Sequence, residues 1–129
     1  MKTSLKRAVV SAAVLALVVS VLPAAAQDAV KADPKHYKVV FENDQVRVLH
    51  ITYGPGEKSV MHGHPANVAV FLTDGLVRFA TPDGKSQDVT VKAHTTQWDP
   101  GGAHLPANMG DKPFSVMLVE LKAKAPAGK

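Results

Sequence analysis

Two histidines separated by a single residue, His62 and His64, carry the clearest chemical signal in this 129-residue sequence. Side chains at positions i and i+2 of an extended segment point to the same side. The two imidazoles can therefore offer nitrogen ligands to one metal ion. A third candidate ligand, His104, follows the turn-forming segment 100–103 far downstream. Together the three residues predict a divalent metal site, but they do not indicate a reaction.

The sequence contains no cysteine, so thiolates are excluded as metal ligands. Histidine and carboxylate remain, and these ligand types favour Fe, Mn, Ni, Cu or Zn. The absence of cysteine also means that no disulfide supports the fold in an oxidising compartment. The hydrophobic core has to stabilise the protein alone.

The first 26 residues have the layout of a cleavable secretory signal peptide. Three basic residues within the first seven precede an apolar run, Ala8 to Leu22, and small side chains follow up to Ala26. Cleavage is expected between Ala26 and Gln27. The apolar run is short for a bilayer span, which takes ~20 residues. We therefore expect a periplasmic or secreted protein with no membrane attachment after cleavage.

Removal of this segment changes the charge balance. Three of the 15 Lys and Arg residues lie in it, so residues 27–129 carry 12 basic against 11 acidic side chains. No basic run remains that would indicate nucleic-acid binding. The remaining length is that of one domain with a single core.

Short apolar segments separated by turn-forming residues predict an all-β domain, either a sandwich or a barrel. Residues 27–38 are expected to form an extended lead-in, residues 39–121 the β-barrel and residues 122–129 a flexible tail. No helix is expected in this part of the chain. The predicted strands lie at 39–41, 46–53, 60–64, 68–72, 76–80, 87–91, 95–98 and 114–121.

Between Val46 and Leu121 the sequence resembles the cupin superfamily, whose members carry two short motifs. The first motif reads Gly, five residues, His-x-His, three or four residues, Glu, six residues, Gly. Gly56, the two clustered histidines and Gly75 match it.

The second cupin motif reads Gly, five residues, Pro-x-Gly, two residues, His, three residues, Asn. Pro100 and Gly102 match it, and His104 and Asn108 match in their mutual spacing. One residue, Ala103, stands where two are usual, and His94 replaces the first glycine.

The first motif also departs from the family pattern, because its glutamate position falls on Val68 or, in the longer variant, on Ala69. Neither side chain can bind a metal. Some cupin oxygenases use three histidines and no glutamate. A neutral ligand set leaves the charge of a dication uncompensated, so an anionic ligand is expected to bind more tightly when metal is present.

The resemblance implies a single jelly-roll barrel that holds one divalent metal at its mouth through His62, His64 and His104. It makes a non-haem metal dioxygenase acting on a small organic molecule the first reaction class to test. Two alternatives stay open: a non-catalytic module that binds a small molecule or metal, and a metal-free structural barrel. The resemblance also leaves open a homodimer paired through edge strands.

Four further residues are candidates for the cavity or for supporting the metal ligands: His50, Gln97, Trp98 and Asn108. His50 alternates with apolar residues and either points into the barrel or is half-buried with a backbone partner. Trp98 is expected in the core or the barrel lining. Asn108 is alternatively a turn residue that bonds to the backbone.

Two polar residues are expected to lie outside the site. His36 falls in the lead-in and is expected to face solvent. Glu120, on the last strand, would replace the missing carboxylate if it pointed inward, but an exposed position is the favoured interpretation.

Overall fold

The computed structural model describes residues 26–124, which form nine β-strands and one short helix. The helix is α1 (Ala29–Ala32). The strands are β1 (Tyr37–Glu42), β2 (Val46–Tyr53), β3 (His62–His64), β4 (Asn67–Phe71), β5 (Gly75–Ala80), β6 (Ser86–Val91), β7 (Thr96–Asp99), β8 (Gly102–Asn108) and β9 (Phe114–Leu121). All but the last residue of the expected signal peptide, and residues 125–129 of the expected tail, lie outside the described residues.

The strands pair into two antiparallel sheets. One sheet has the order β1-β2-β9-β4-β7 and the other the order β3-β8-β5-β6. Most neighbouring strands are distant in sequence, as in β2 beside β9, which is typical of a jelly roll. The predicted all-β jelly-roll fold is confirmed.

The core lies between the sheets and follows the two-residue period of the strands. On β2 the buried residues Leu49, Ile51 and Tyr53 alternate with less buried ones. On β9 the side chains of Phe114 and Leu118 face the same core. A polar residue of β2 or β9 therefore also faces inward when it lies an even number of positions from these core residues.

The segment 27–38, expected to be extended throughout, contains a helical turn and the start of β1. The carboxylate of Asp28 accepts hydrogen bonds from the backbone N–H groups of Val30 and Lys31 and thereby caps α1. A single turn is too short to produce a hydrophobic period in the sequence. No helix within residues 26–124 is long and apolar enough to span a membrane.

The strand that carries the third histidine, β8, was not among the predicted strands. Pro106 lacks a backbone N–H, and prolines argue against a strand in the middle of a sheet. The structure accommodates Pro106 close to the point where β8 changes partner. Residues 102–104 pair with β3, whereas residues 105–108 pair with β5.

Candidate metal centre

The register of β3 and β8 brings the three predicted histidines together. His62 lies directly opposite His104 in this antiparallel pair, and His64 is two residues from His62 on the same face. One nitrogen from each ring lies within 4.8 Å of the others. We call these three residues the histidine cluster. The spacing of His62 and His64 identified two of them, and the motif around His104 identified the third.

In two rings of the cluster, those of His62 and His64, the Nδ1 atom donates a hydrogen bond to a neighbouring oxygen. His62 Nδ1 lies 2.8 Å from the carbonyl oxygen of Val60, which can only accept. His64 Nδ1 lies 2.6 Å from Oε1 of Glu120, a carboxylate oxygen. With Nδ1 protonated, the neutral imidazole has a lone pair on Nε2.

The two Nε2 atoms of His62 and His64 face each other at 3.0 Å. Two lone pairs at this distance repel unless a proton or a metal ion lies between or beside them. A tetrahedral zinc ion with nitrogens at about 2.0–2.1 Å would separate its ligand atoms by about 3.3 Å. The observed spacing therefore suits two ligands of one metal ion.

His104 supplies the third nitrogen. Its Nε2 is buried and has no hydrogen-bond partner among the described residues. Burial, and to a smaller extent the neighbouring rings of His64 and His62, together lower the pKa of His104 to about 3. Burial likewise lowers the pKa of His62. Both rings are therefore neutral at physiological pH, the form that binds metals.

Aromatic side chains hold the cluster from two directions. The ring of Tyr37 meets the ring of His62 edge-on, with centroids 4.7 Å apart. Phe79 packs against His104 with centroids 5.5 Å apart. The hydroxyl groups of Tyr37 and Tyr53 bond to each other at 2.5 Å. These contacts restrict ring rotation and keep the three nitrogens convergent.

A carboxylate stands behind the cluster, and its expected exposed position was wrong. Glu120 is only 2% exposed, and its two oxygens contact His64 and Arg47, each at 2.6 Å. Burial opposes ionisation, but the hydrogen bonds from His64 and Arg47 outweigh it and lower the pKa of Glu120. Arg47 is in turn paired with Asp28. A carboxylate that accepts from Nδ1 of a metal-binding histidine fixes its tautomer and raises its basicity.

The other side of the cluster is held by a second polar chain. Ser59 Oγ lies 3.2 Å from His62 Nδ1 and donates to Asp33 at 2.6 Å. Asp33 also contacts His36, whose second nitrogen lies 2.9 Å from Glu57. The expectation that His36 faces solvent was wrong, because it is 7% exposed and stacks on a tyrosine ring. The sequence analysis misplaced His36 because it treated residues 27–38 as an extended lead-in, whereas they contain α1 and the start of β1.

A cavity of about 340 Å³ opens beside the cluster, with His64 and His104 in its wall. Its other walls are mainly apolar, including Ile51, Phe71 and Phe114. No lysine or arginine is among the described residues that line it. The cavity therefore suits a small, largely apolar molecule.

The two residues that could occupy the position of the family glutamate, Val68 and Ala69, lie on opposite faces of β4. Val68 pairs with Val119 and Trp98 across the sheet, on the face opposite the cavity, whereas Ala69 lines the cavity. The cavity-facing position is therefore that of the longer motif variant, where Ala69 places a methyl group, whereas Gly75 keeps the spacing of the shorter variant.

Of the four supporting candidates, Gln97 alone lines the cavity. Trp98 does not, because it lies on the outer face of β7 and is 57% exposed. His50 is half-buried on the face opposite the core residues of β2 and bonds to the hydroxyl of Ser115 at 2.8 Å. Parity along the strand explains both outcomes, since neighbouring residues face opposite sides.

Asn108, the fourth candidate, is buried and bonds to the backbone. Its Nδ2 donates to the carbonyl oxygens of Gly54 and Lys112, and its Oδ1 accepts from the N–H of Gly110. These bonds tie together the loops that flank β8. Asn108 therefore matches its alternative interpretation, a turn residue that bonds to the backbone, and not that of a residue in the cavity wall.

The residues near the cluster that sequence reasoning missed include Arg47 and Asn67. Arg47 shares the inward parity of Leu49 and Ile51 on β2, and Glu120 shares that of Leu118 on β9. A charged residue in phase with core residues was the available signal. Asn67 gave no comparable signal.

Comparison with solved structures gives many matches, whereas no family model and no curated protein matches the sequence. A cupin domain from Bordetella pertussis is 28% identical, with a TM-score of 0.64 over 67% of this chain and 92% of that one. A protein from Bacillus halodurans is 19% identical, with a TM-score of 0.55 over 73% and 75% of the two chains.

A third match is an RmlC-like cupin family protein with a double-stranded β-helix fold from Methanocaldococcus jannaschii. It is 14% identical, with a TM-score of 0.54 over 66% of this chain and 77% of that one. The more distant matches show the fold alone, and the Bordetella domain adds sequence similarity. The two-sheet topology, the matched motifs and these similarities agree, and the chain belongs to the cupin superfamily.

Proposed function

We propose that this protein binds one divalent metal ion through His62, His64 and His104 and receives a small organic molecule in the adjoining cavity. The observation that carries the proposal is the pair of Nε2 atoms facing each other at 3.0 Å while both Nδ1 atoms donate elsewhere. The unpartnered Nε2 of His104 completes a convergent set of three nitrogens.

The metal ion would supply a Lewis-acidic centre with coordination positions left open by three protein ligands. The chain's own residues do the rest. Glu120 and Val60 orient the two ligand rings, and the mainly apolar wall receives the organic molecule. Oxidation of a small organic molecule by dioxygen is the reaction class we propose to test first.

A second candidate function is non-catalytic binding, for sensing, storage or delivery of a small molecule or metal. The observation that favours it is Ala69, which stands where many cupins place a metal-binding glutamate. A neutral three-nitrogen set suits binding as well as turnover.

We also propose that the protein is exported, because its first 26 residues follow the layout of a cleavable signal. N-terminal sequencing of the protein from its native source tests this directly. The first residue should be Gln27, and an intact Met1 in the folded protein would refute the proposal.

Metal content tests the main proposal. The protein, purified without a histidine tag, should contain or take up one divalent ion per chain by elemental analysis, and His62→Ala should abolish this. His94→Ala is the matched control, because this exposed histidine lies outside the cluster. Oxygen consumption with Fe(II) that depends on His62 favours the enzyme, and ligand binding without turnover favours the binding module.

A further inference from the structure

Asn67, at the start of β4, has an amide oxygen that no residue between 26 and 124 donates to. The residue is 1% exposed and lines the cavity. Its Nδ2 donates to the carbonyl oxygen of Pro65 at 2.9 Å, which fixes the orientation of the amide. Oδ1 has no hydrogen-bond partner among the described residues. A buried acceptor left unpaired is costly, so a partner is expected from outside the chain.

The surroundings of Asn67 are also acceptors. Asn67 lies opposite Glu120 on one neighbouring strand and opposite Asp99 on the other. Asp99 lines the same cavity, and one of its oxygens accepts from the N–H of Gly101 at 2.7 Å. Because no lysine or arginine lines the cavity in the described part of the chain, the hydrogen-bond donor is either a water molecule or a ligand that displaces it.

We propose that Asn67 is a ligand-binding residue whose amide oxygen accepts a hydrogen bond from an uncharged molecule with an apolar body and an O–H or N–H donor. The inference rests on the proposed function only in taking the cavity as the ligand site, and it does not require the metal. Asp99 beside Asn67 disfavours an anionic group at this end of the cavity, whereas the metal end would accept one.

Binding of phenol and toluene to the metal-free protein tests the proposal, because the two probes share their shape and differ in one donor. Phenol loses a hydrogen bond to water on entry, so an apolar cavity alone would give it no advantage. We expect phenol to bind about tenfold more tightly than toluene in an NMR titration. Asn67→Leu should remove this preference, and Gln97→Leu, which changes another amide of the cavity wall, should retain it.

Equal binding of the two probes, or a preference that survives Asn67→Leu, would overturn the proposal. Tighter binding of benzoate than of phenol to the metal-free protein would also overturn it. If Asn67→Leu does not fold, the wild-type protein still decides: at saturation, the side-chain amide signal of Asn67 should shift further with phenol, whose hydroxyl bonds to Oδ1, than with toluene, which contributes only a ring-current shift.

Zinc binding separates this proposal from the proposed metal site. Asn67→Leu should change the zinc affinity less than twofold, and a larger loss would make Asn67 a metal ligand and refute its assigned role. A wild-type protein that prefers phenol but binds no zinc would refute the metal site and leave the role of Asn67 intact.

Discussion

Replacement of Glu120 by glutamine tests how the structure prepares His64 for metal binding. The carboxylate accepts from His64 Nδ1 and from Arg47 Nε, each at 2.6 Å. Glutamine has the same shape, but one of its two terminal atoms is a donor. If its oxygen faces Arg47, its amide group faces His64 and favours the tautomer that protonates Nε2. The nitrogen that faces the metal then loses its lone pair.

The expected loss of metal affinity for Glu120→Gln is tenfold to a hundredfold, or about 1.4–2.8 kcal/mol. The metal-free variant should also lose about 2–4 kcal/mol of folding free energy, because a buried ion pair is broken while Arg47 keeps its contact with Asp28. Competition with a chromophoric chelator measures zinc affinity, and urea unfolding measures stability.

Asp88→Asn is the matched control, since it removes a carboxylate from an exposed ion pair with Arg78. Exposed pairs contribute about 0–1 kcal/mol, and this one is remote from the cluster, so zinc affinity should not change. A folded Glu120→Gln protein that binds zinc within twofold of the wild-type affinity would refute the role assigned to Glu120.

Three further predictions concern the site and its supports. Ala69→Glu should tighten zinc binding at least tenfold in the chelator assay by adding a ligand on the cavity side, whereas Val68→Glu, on the other face, should not. The metal-free protein should lose stability as the pH falls from about 6.5 toward 3. Burial lowers the pKa of folded His104 to about 3 from 6.5, so between these values the unfolded chain binds the extra proton; a urea midpoint equal at pH 7.5 and 5.0 would contradict this. Gly101→Ala should cost about 1–3 kcal/mol more than Gly84→Ala and weaken zinc binding. Both glycines have positive φ, but only at Gly101 would the added Cβ come within 2.8 Å of a ligand-strand carbonyl oxygen. Equal losses in thermal unfolding would refute it.

The three histidines of the cluster could be predicted from sequence because each lies in a short, recognisable segment. His62 and His64 share a face on any extended strand, and the motif around His104 identified the third ligand. The strand that carries His104 could not be predicted, because Pro106 and the glycines before it are ordinarily signs of a turn. The pairing of β8 with β3 is a long-range effect that overrides these local preferences.

The residues behind the ligands were harder to predict for a different reason. Both faces of β9 carry apolar residues, so the alternation that puts Glu120 in phase with Leu118 is only a weak signal in the sequence. Its burial depends on Arg47 and His64, which arrive from other strands and compensate its charge. Trp98 shows the converse, because a large aromatic residue was expected inside and lies on the outer face of an edge strand.

The central claim is that three rings from two strands hold one metal ion. A crystal structure of the zinc-loaded protein, with anomalous diffraction recorded at the zinc edge, tests it most directly. The account predicts one strong peak about 2.0–2.1 Å from a nitrogen of each of His62, His64 and His104. Zinc bound elsewhere on the chain, with the three rings hydrogen-bonded only to protein or water, would contradict it.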